Sequence, residues 1–281
     1  MGLDRRLVCD LIMHIPMLTM GMVAAAMRSG GSLRDSLVEW WDFEDNSAAT
    51  VFTGQKNSHP LNLINAQTTA TQSNASGRRG RASNWSNANS NDAGQVPRAV
   101  TAFVFGDQSF TFGMWVNFNQ MPSDDLGRFL MGRYGDFTTS ANYGLFLGTL
   151  AGAQRFQLIV RNSAAASSIT VQHATAMPLT TGAWHLAIGA HDRVNDELVF
   201  YVDNVKMTQS WSQGINSGGT GNFSVGNGRK GDNTYLDTTR TVGHKADSVF
   251  VMNRLITDGE VNYLWNGGAG KNFADLIADG M

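Results

Sequence analysis

The sequence predicts an all-β protein, built as a two-sheet antiparallel jelly-roll sandwich with one short C-terminal helix and an N-terminal extension. Two observations lead to this prediction. Short stretches rich in β-branched and aromatic residues recur along the chain, with polar gaps between them. The sequence offers no long amphipathic helix between these stretches, and Glu occurs only four times in 281 residues. Strands that follow one another without crossover helices are expected to pair antiparallel.

Ten stretches predict the strands of this sandwich. The second, "FTFGMWVNFN", shows the pattern most clearly, because an apolar residue recurs at every second position from Phe110 to Phe118 and therefore falls on one face. In chain order the ten stretches are 36–43, 110–119, 143–150, 155–162, 168–173, 183–191, 197–203, 205–211, 222–228 and 246–255.

The stretch "ELVFYVDNVKM" predicts a β-hairpin. Asp203 and Asn204 form its turn, where both residues must tolerate a positive φ. In the strand before the hairpin, we expect Trp184 to fill the core between the two sheets and His185 to face the opposite way. Trp115 is also expected to be buried.

One helix is predicted near the C-terminus, in "TDGEVNYLWNGG". Thr257 or Asp258 can cap its start, and Gly267 can end it. The apolar residues that would share one face of this helix are Val261, Leu264 and Trp265.

The order of these elements resembles the laminin-G-like, concanavalin A-like jelly-roll family. The order "GAWHLAIGA", "ELVFYVDNV", "FSVGNG" and "ADSVFVMNRLITDGEVNYLWNGG" carries the resemblance, together with "LVEWWDFEDNS" and "FTFGMWVNF" upstream. The family has Gly where this chain has Asn204 in the hairpin turn. The resemblance covers about residues 36–276, so we expect an arm and hinge over 1–35 and a jelly-roll domain over 36–281.

The resemblance also implies a structural Ca²⁺ site, between the end of the opening strand and the late strand that starts with Asp. The matching residues are Glu44 and Asp247. Carboxylate oxygens are ligands that Ca²⁺ prefers. The alternative is that both carboxylates are solvated, cap backbone groups or form salt bridges. No other cofactor is predicted.

The sequence predicts no enzyme activity, although some sandwiches of this family are glycosidases. A retaining glycosidase needs two carboxylates about 5 Å apart. Glu197 and Asp203 flank opposite ends and faces of one strand, whereas Asp42 and Glu44 share a face only at a strand end. His185 has no nucleophile that a motif would place beside it.

The composition argues against a nucleic-acid partner. Only 16% of the residues are charged, and the net charge is −2, so the chain has no long-range field that attracts polyanions. The one basic run, "GRRGRASNW" at 77–85, also matches the family's approach to a strand. The single cysteine, Cys9, excludes an internal disulfide.

Cell-surface glycans are a candidate partner, through aromatic side chains in polar loops that could stack on sugar rings. The candidates are Trp85, Trp211 and Tyr235, each in a setting rich in Gly, Ser or Asn. The alternative for each is that it plugs a loop onto the sandwich.

The N-terminus, "MGLDRRLVCDLIMHIPMLTMGMVAAAMRSGG", has two interpretations. It resembles a secretory signal with Ala24-Ala25-Ala26 as its cleavage site, but Asp10, His14 and Pro16 interrupt the apolar part and also argue against a membrane span. We favour an uncleaved apolar arm, followed by a hinge at "RSGGS", that docks on another virion protein or on a second copy of the chain. The alternative is that the arm packs on its own domain. The arm residues that need a surface are Leu11, Ile12, Ile15, Met17, Leu18, Met20 and Val23.

Two functions agree with these features. The first is a structural or attachment protein on the surface of a virion, such as a bacteriophage decoration, fibre or tail protein, which the resemblance favours because such jelly rolls carry short N-terminal extensions. The second is a secreted bacterial carbohydrate-binding or adhesion module that has lost residues 1–26.

Overall fold

The computed structural model describes residues 31–64, 67–73, 75–85, 92–122, 126–134, 141–150, 152–162, 168–174, 181–227 and 240–281. The strands in these residues are β1 (Leu37–Trp41), β2 (Val51–Phe52), β3 (Leu61–Leu63), β4 (Ala75–Ser76), β5 (Arg81–Trp85), β6 (Gly94–Val96), β7 (Phe110–Phe118), β8 (Arg128–Tyr134), β9 (Ala141–Leu150), β10 (Ala153–Arg161), β11 (Ser168–Gln172), β12 (Trp184–Asp192), β13 (Glu197–Val202), β14 (Val205–Ser210), β15 (Phe223–Val225) and β16 (His244–Met252). The α-helices are α1 (Thr69–Gln72), α2 (Asp258–Trp265) and α3 (Phe273–Ala278).

The strands form two antiparallel sheets, as the sequence predicts. Sheet A has the order β14-β13-β12-β7-β16-β5-β4, and β1 pairs with β16 beside β5. Sheet B has the order β11-β10-β9-β8-β15-β6-β3-β2. Strands that are distant in the chain lie side by side in each sheet, which is the connectivity of a jelly roll.

The inner faces of the two sheets form the main core. The alternating residues from Phe110 to Phe118 all lie in this core, and so do Leu198, Phe200 and Val202 of β13. Residues one position away point to the other side of sheet A, which confirms the period of two. The predicted hairpin turn is also present, with φ of 50° at Asp203 and 67° at Asn204.

A second apolar cluster covers the outer face of sheet A, beneath α2 and α3. It includes Trp40, Trp115 and Phe250 from the sheet, and Val261, Leu264 and Leu276 from the helices. Thr257 and Glu260 form a reciprocal capping box at the start of α2, so the predicted helix is confirmed. The helix α3 follows it, capped by Asn272.

The prediction for Trp184 and His185 is wrong. Trp184 is only partly buried and packs against the helix-covered cluster. His185 pairs with Val116, faces the inner core and lies 6.1 Å from Phe156, centroid to centroid. The register with β7 decides this outcome, because Val116 and Phe118 occupy the inner face and Trp115 and Asn117 the outer one.

The α-helices have four, eight and six residues, so within the described part of the chain none of them reaches the length of a membrane span. The chain enters the sandwich at the helix-covered face of sheet A. Leu33 is buried in that cluster, and the Arg34 N–H donates to the Met281 carbonyl at 3.2 Å.

Candidate binding site at one end of sheet B

A polar loop lies across one end of sheet B. We call residues 215–222, "INSGGTGN", the amide loop. The Asn216 N–H donates to the carbonyl of Arg161 at the end of β10, at 2.9 Å. The side-chain amide of Asn142 on β9 donates to the Asn216 carbonyl. The loop then leads into β15, so it spans the ends of adjacent strands.

Side-chain amides fix the two ends of the amide loop. At its start, the Asn216 Oδ1 accepts from the Gly218 N–H at 3.0 Å. At its end, the Asn222 Oδ1 accepts from the Arg98 N–H at 2.9 Å, and the Asn222 amide donates to Gln95 Oε1 at 2.8 Å. Asn216 and Asn222 are buried, so the loop has a fixed shape although it is rich in glycine.

The guanidinium of Arg133 lies beneath the amide loop. Its Nη2 is 3.3 Å from the Gly219 carbonyl oxygen, and Arg133 is only 4% exposed. Its Nε is buried and has no acceptor in the described part of the chain. Burial lowers the pKa of Arg133, and the nearby positive charge of Arg98 lowers it further.

The surface of this end is made of small and polar groups. Ser217, Gly218 and Thr220 of the amide loop are exposed, as is Arg98 beside its end. Amides, hydroxyls and guanidinium groups hydrogen-bond the hydroxyl and carboxylate groups of a ligand. A few such groups, held on a rigid scaffold, are typical of small-ligand sites.

The structure buries two of the three predicted glycan-contact residues. Trp85 is 3% exposed and Trp211 is 7% exposed, and both belong to the inner core. The prediction that they stack on sugars is therefore wrong, because both rings are packed in the inner core, Trp85 from the end of β5 and Trp211 from the residue after β14. Tyr235 lies outside the described residues.

The predicted calcium residues lie on either side of the turn 77–81. The Glu44 Oε1 accepts from the Arg81 N–H at 2.9 Å, and the Asp247 Oδ2 accepts from the Arg79 N–H at 2.8 Å. Both carboxylates therefore cap backbone groups, which is one of the alternatives to calcium binding given in the sequence analysis. Among the described residues, no three His, Cys, Asp or Glu side chains come together as metal ligands.

Asp42, rather than Glu44, is the acidic neighbour of Asp247. The Ser248 hydroxyl is 3.4 Å from Asp42 Oδ1 and 3.2 Å from Asp247 Oδ1. Burial raises the pKa of Asp42 to about 6 and that of Asp247 to about 8. Hydrogen bonds from Phe273 N and Trp40 Nε1 engage Asp42, so both carboxylates have protein donors. The calcium site stays a prediction, with Asp42 as the acidic neighbour of Asp247.

The basic run 77–85 is engaged within the fold. The Arg78 guanidinium lies 5.3 Å from the Trp115 ring centroid, and Arg79 pairs with Asp275 at 2.9 Å. Arg81 Nη1 donates to the Ser73 carbonyl at 3.0 Å. These contacts tie the run to the sandwich and to α3.

His185 forms an Asp-His pair that holds a turn. Its Nδ1 lies 2.7 Å from Asp203 Oδ2, and Asp203 Oδ1 accepts from the Leu186 N–H at 2.9 Å. The His185 Nε2 is buried, and no described residue hydrogen-bonds it. Asp203 thereby fixes the β13–β14 turn onto β12.

Buried histidines recur elsewhere in the sandwich. The Nδ1 of His244 lies 2.8 Å from the Val242 carbonyl, and that of His191 lies 2.9 Å from the Gln108 carbonyl. Burial lowers the pKa of His244 to about 4, and also lowers those of His191 and His173. Neutral imidazole is thus the form that the fold favours at these positions.

Neither Arg133 nor the amide loop is predicted from the sequence. Arg133 lies in β8, a strand that the sequence does not predict, and "NSGGTGN" matches no motif. The only signal is the cluster of glycine and asparagine between two predicted strands. The seven arm residues of the sequence analysis lie in 1–30, outside the described residues.

The family model described as the concanavalin A-like lectin/glucanases superfamily, a laminin-G type model, matches residues 87–262. No curated protein matches the sequence.

Solved structures of several binding domains are similar in fold. The binding domain of Paraclostridial Mosquitocidal Protein 1 has a TM-score of 0.58 and 14% identity over 84% of this chain and 53% of its own. A second structure concerns botulinum neurotoxin type C, whose cell entry depends on interaction with two ganglioside molecules. Its TM-score is 0.51 and its identity 10%, over 84% of this chain and 52% of its own. This chain therefore spans about half the length of these toxin domains.

A further similar structure is a single domain of about the same extent as this chain. It is domain 4 of AbnA, an extracellular arabinanase from Geobacillus stearothermophilus, solved in complex with arabinotriose. Its TM-score is 0.53 and its identity 14%, over 81% of this chain and 97% of its own. At these identities the likeness concerns the fold.

Proposed function

The chain belongs to the concanavalin A-like lectin/glucanase superfamily, and from this premise we propose that it is a non-enzymatic, glycan-binding attachment protein on the surface of a virion. In this proposal the amide loop of sheet B contacts the glycan. The N-terminal arm anchors the domain to other virion proteins or to a second copy of the chain.

The observation that carries the glycan-binding part is the amide loop above Arg133. Exposed Ser217 and Thr220 offer hydroxyl groups, while buried amides hold the loop in one shape. A binding loop that is ordered before the ligand arrives loses less conformational entropy on binding. Among the proteins of similar fold, botulinum neurotoxin type C depends on gangliosides for cell entry and domain 4 of AbnA was solved with arabinotriose, which makes glycans the first class to test.

The positions of the acidic side chains support a role without catalysis. Glu197 and Asp203 stand at opposite ends of β13, Asp42 is buried under Phe273, and Glu44 caps the turn 77–81. None of these arrangements is the accessible carboxylate pair that glycoside hydrolysis uses.

The composition of the arm supports anchoring. Residues 1–30 are rich in Leu, Ile and Met, and burying one such side chain contributes about 1.5–3 kcal/mol. The chain enters through Leu33 at the helix-covered face of sheet A, whereas the amide loop belongs to sheet B. Anchoring and glycan binding can therefore use different sheets. The bacteriophage capsid, fibre and tail all offer places for such a protein.

The alternative is a secreted bacterial carbohydrate-binding or adhesion module. It has the same binding surface but loses residues 1–26 as a signal peptide. Ala24-Ala25-Ala26 favours this alternative. Mass spectrometry of the N-terminus of the native protein separates the two, because an intact arm excludes cleavage.

A glycan array tests the binding function directly. We expect the full chain to bind a restricted set of glycans on the array. An array that stays blank at high protein concentration, with protein that is folded by circular dichroism, would contradict the proposed function.

A further inference from the structure

Arg133 is a buried cation that has no carboxylate partner among the described residues. It is 4% exposed, its one hydrogen bond is a 3.3 Å contact to the Gly219 carbonyl, and its Nε has no acceptor. Two described groups act on the Arg133 charge through space, the Tyr143 hydroxyl and the Arg98 guanidinium. Arg98 carries a charge of the same sign and so does not neutralise Arg133.

Three other arginines of the described residues pair with a carboxylate, whereas Arg78 packs on the Trp115 ring and Arg81 donates to the Ser73 carbonyl. Arg254 Nη1 lies 2.9 Å from Glu260 Oε2, Arg193 Nε lies 2.6 Å from Asp107 Oδ1, and Arg79 pairs with Asp275. All three are more exposed than Arg133, and all three have a carboxylate. Arg133 is more buried and lacks one.

An unpaired charge in the interior lowers stability, because the charge loses its hydration and gains no partner. A core residue of similar volume would avoid this cost. Functional sites are where proteins keep such groups, since the ligand supplies the missing partner.

We propose that Arg133 binds the carboxylate of an acidic sugar. The unpartnered Nε–H belongs to the planar fork of donors that matches the two oxygens of a carboxylate. The amide loop above it is built of glycine, serine, threonine and asparagine, which suits the hydroxyl groups of the same sugar. The exposed Arg98 adds a second positive charge at the rim.

This inference rests on the proposed glycan-binding function and names its ligand class. It predicts a difference in affinity between two sugars that share every group except one. A methyl glucuronide carries a carboxylate where a methyl glucoside carries a hydroxymethyl group, so their difference in affinity isolates the carboxylate.

The test is isothermal titration of the full chain with methyl glucuronide, the methyl glycoside of N-acetylneuraminic acid (with its carboxylate free) and methyl glucoside. We expect the glucuronide or the neuraminate to bind at least tenfold more tightly than the glucoside. Arg133→Met should abolish this preference, and Arg133→Lys should reduce it, because lysine keeps the charge but loses the fork. Lys206→Gln removes one exposed cation on β14 and serves as the control that keeps the preference.

Thermal stability separates binding from a structural role. We expect Arg133→Met to melt at the same temperature as the wild type or higher, because it removes an unpaired buried charge. A clear fall in melting temperature, with the sugar preference unchanged in Arg133→Lys, would assign Arg133 to the fold and overturn the proposal. Equal affinity for the acidic and neutral sugars would also overturn it.

The two proposals fail in different ways. An array that shows only neutral glycans contradicts the acidic-sugar inference but leaves glycan binding intact. A blank array contradicts both.

Discussion

Trp115 and Trp184 differ in what their side chains contact, although both lie on the outer face of sheet A. Trp115 is 1% exposed and is stacked 5.3 Å from the Trp265 ring, whereas Trp184 is only partly buried at the rim of the same cluster. We expect Trp115→Ala to lower the free energy of unfolding by about 3–5 kcal/mol. Trp184→Ala should cost clearly less, about 1–2 kcal/mol. Denaturant titration of both variants measures the difference, and equal losses would contradict the placement.

His244 makes the stability of the fold sensitive to acid. Its folded pKa of about 4 lies below the ordinary value of 6.5, so the unfolded chain takes up a proton in this interval and the folded chain does not. The stabilisation is complete above pH 6.5 and is lost as the pH falls towards 4. Between pH 7 and 4.5 this amounts to about 2–3 kcal/mol.

The variant His244→Asn isolates that contribution. The Asn amide can still donate to the Val242 carbonyl, as the Nδ1–H does, but it cannot be protonated in this range. We expect the variant to lose less stability than the wild type between pH 7 and 4.5 in urea titrations. Because Asp42 and Asp247 titrate in both proteins, their opposite contribution cancels in the comparison. Identical pH profiles would mean that His244 is not neutral and buried as described.

At the scale of elements, the turn 77–81 links the opening strand to the late strand β16. Glu44 and Asp247 cap its backbone, and Gly77 and Gly80 lie so close that a Cβ would come within 2.7 Å of Asp247 Oδ2 and 2.1 Å of Glu44 Oε1. This is where the predicted calcium ion would lie, with Glu44 and Asp247 as its carboxylate ligands.

If Ca²⁺ is held there, EDTA should lower the melting temperature, because an ion that binds only the native state stabilises it. We expect a fall that added Ca²⁺ restores, and we expect Asp247→Asn to be insensitive to both. Differential scanning fluorimetry at pH 8 is the measurement. An unchanged melting temperature would leave the carboxylates with their capping role alone.

An unbroken period of two predicts a strand most reliably. β7, β12 and β13 are found within one residue of their predicted starts. β8 is not predicted, because Arg128, Gly132 and Arg133 interrupt its apolar residues, and β3 and β6 are only three residues long. Short or interrupted strands are fixed by their neighbours in the sheet, which local sequence does not reveal.

The same limit explains why the sequence does not predict the candidate site. Arg133, Asn142, Asn216 and Asn222 come from three separate parts of the chain, and only the sheet order β9-β8-β15 brings them together. The prediction that Trp85 and Trp211 are exposed glycan contacts is wrong because polar neighbours in sequence do not determine whether a ring points inwards.

At the scale of the whole molecule, the proposed function assigns anchoring to the N-terminal arm and glycan binding to the sandwich. Deleting residues 1–30 removes the arm and leaves every described contact of the two sheets in place. We expect a soluble, folded sandwich that no longer joins its assembly, because the apolar arm supplies the contact. Co-sedimentation with the particles and circular dichroism measure the two properties. A truncated protein that still assembles normally would contradict the anchoring role.

The central claim is that the amide loop of sheet B binds glycans, and a blocking side chain tests it most directly. Gly218 is exposed, and a Cβ added there meets nothing closer than 3.6 Å, so Gly218→Tyr should fold normally while covering the loop. Val194, which is 88% exposed in the β12–β13 turn, gives the matched control Val194→Tyr. On the same glycan array, we predict that Gly218→Tyr loses the signals of the wild type and Val194→Tyr keeps them. Wild-type signals that persist in Gly218→Tyr would contradict the claim.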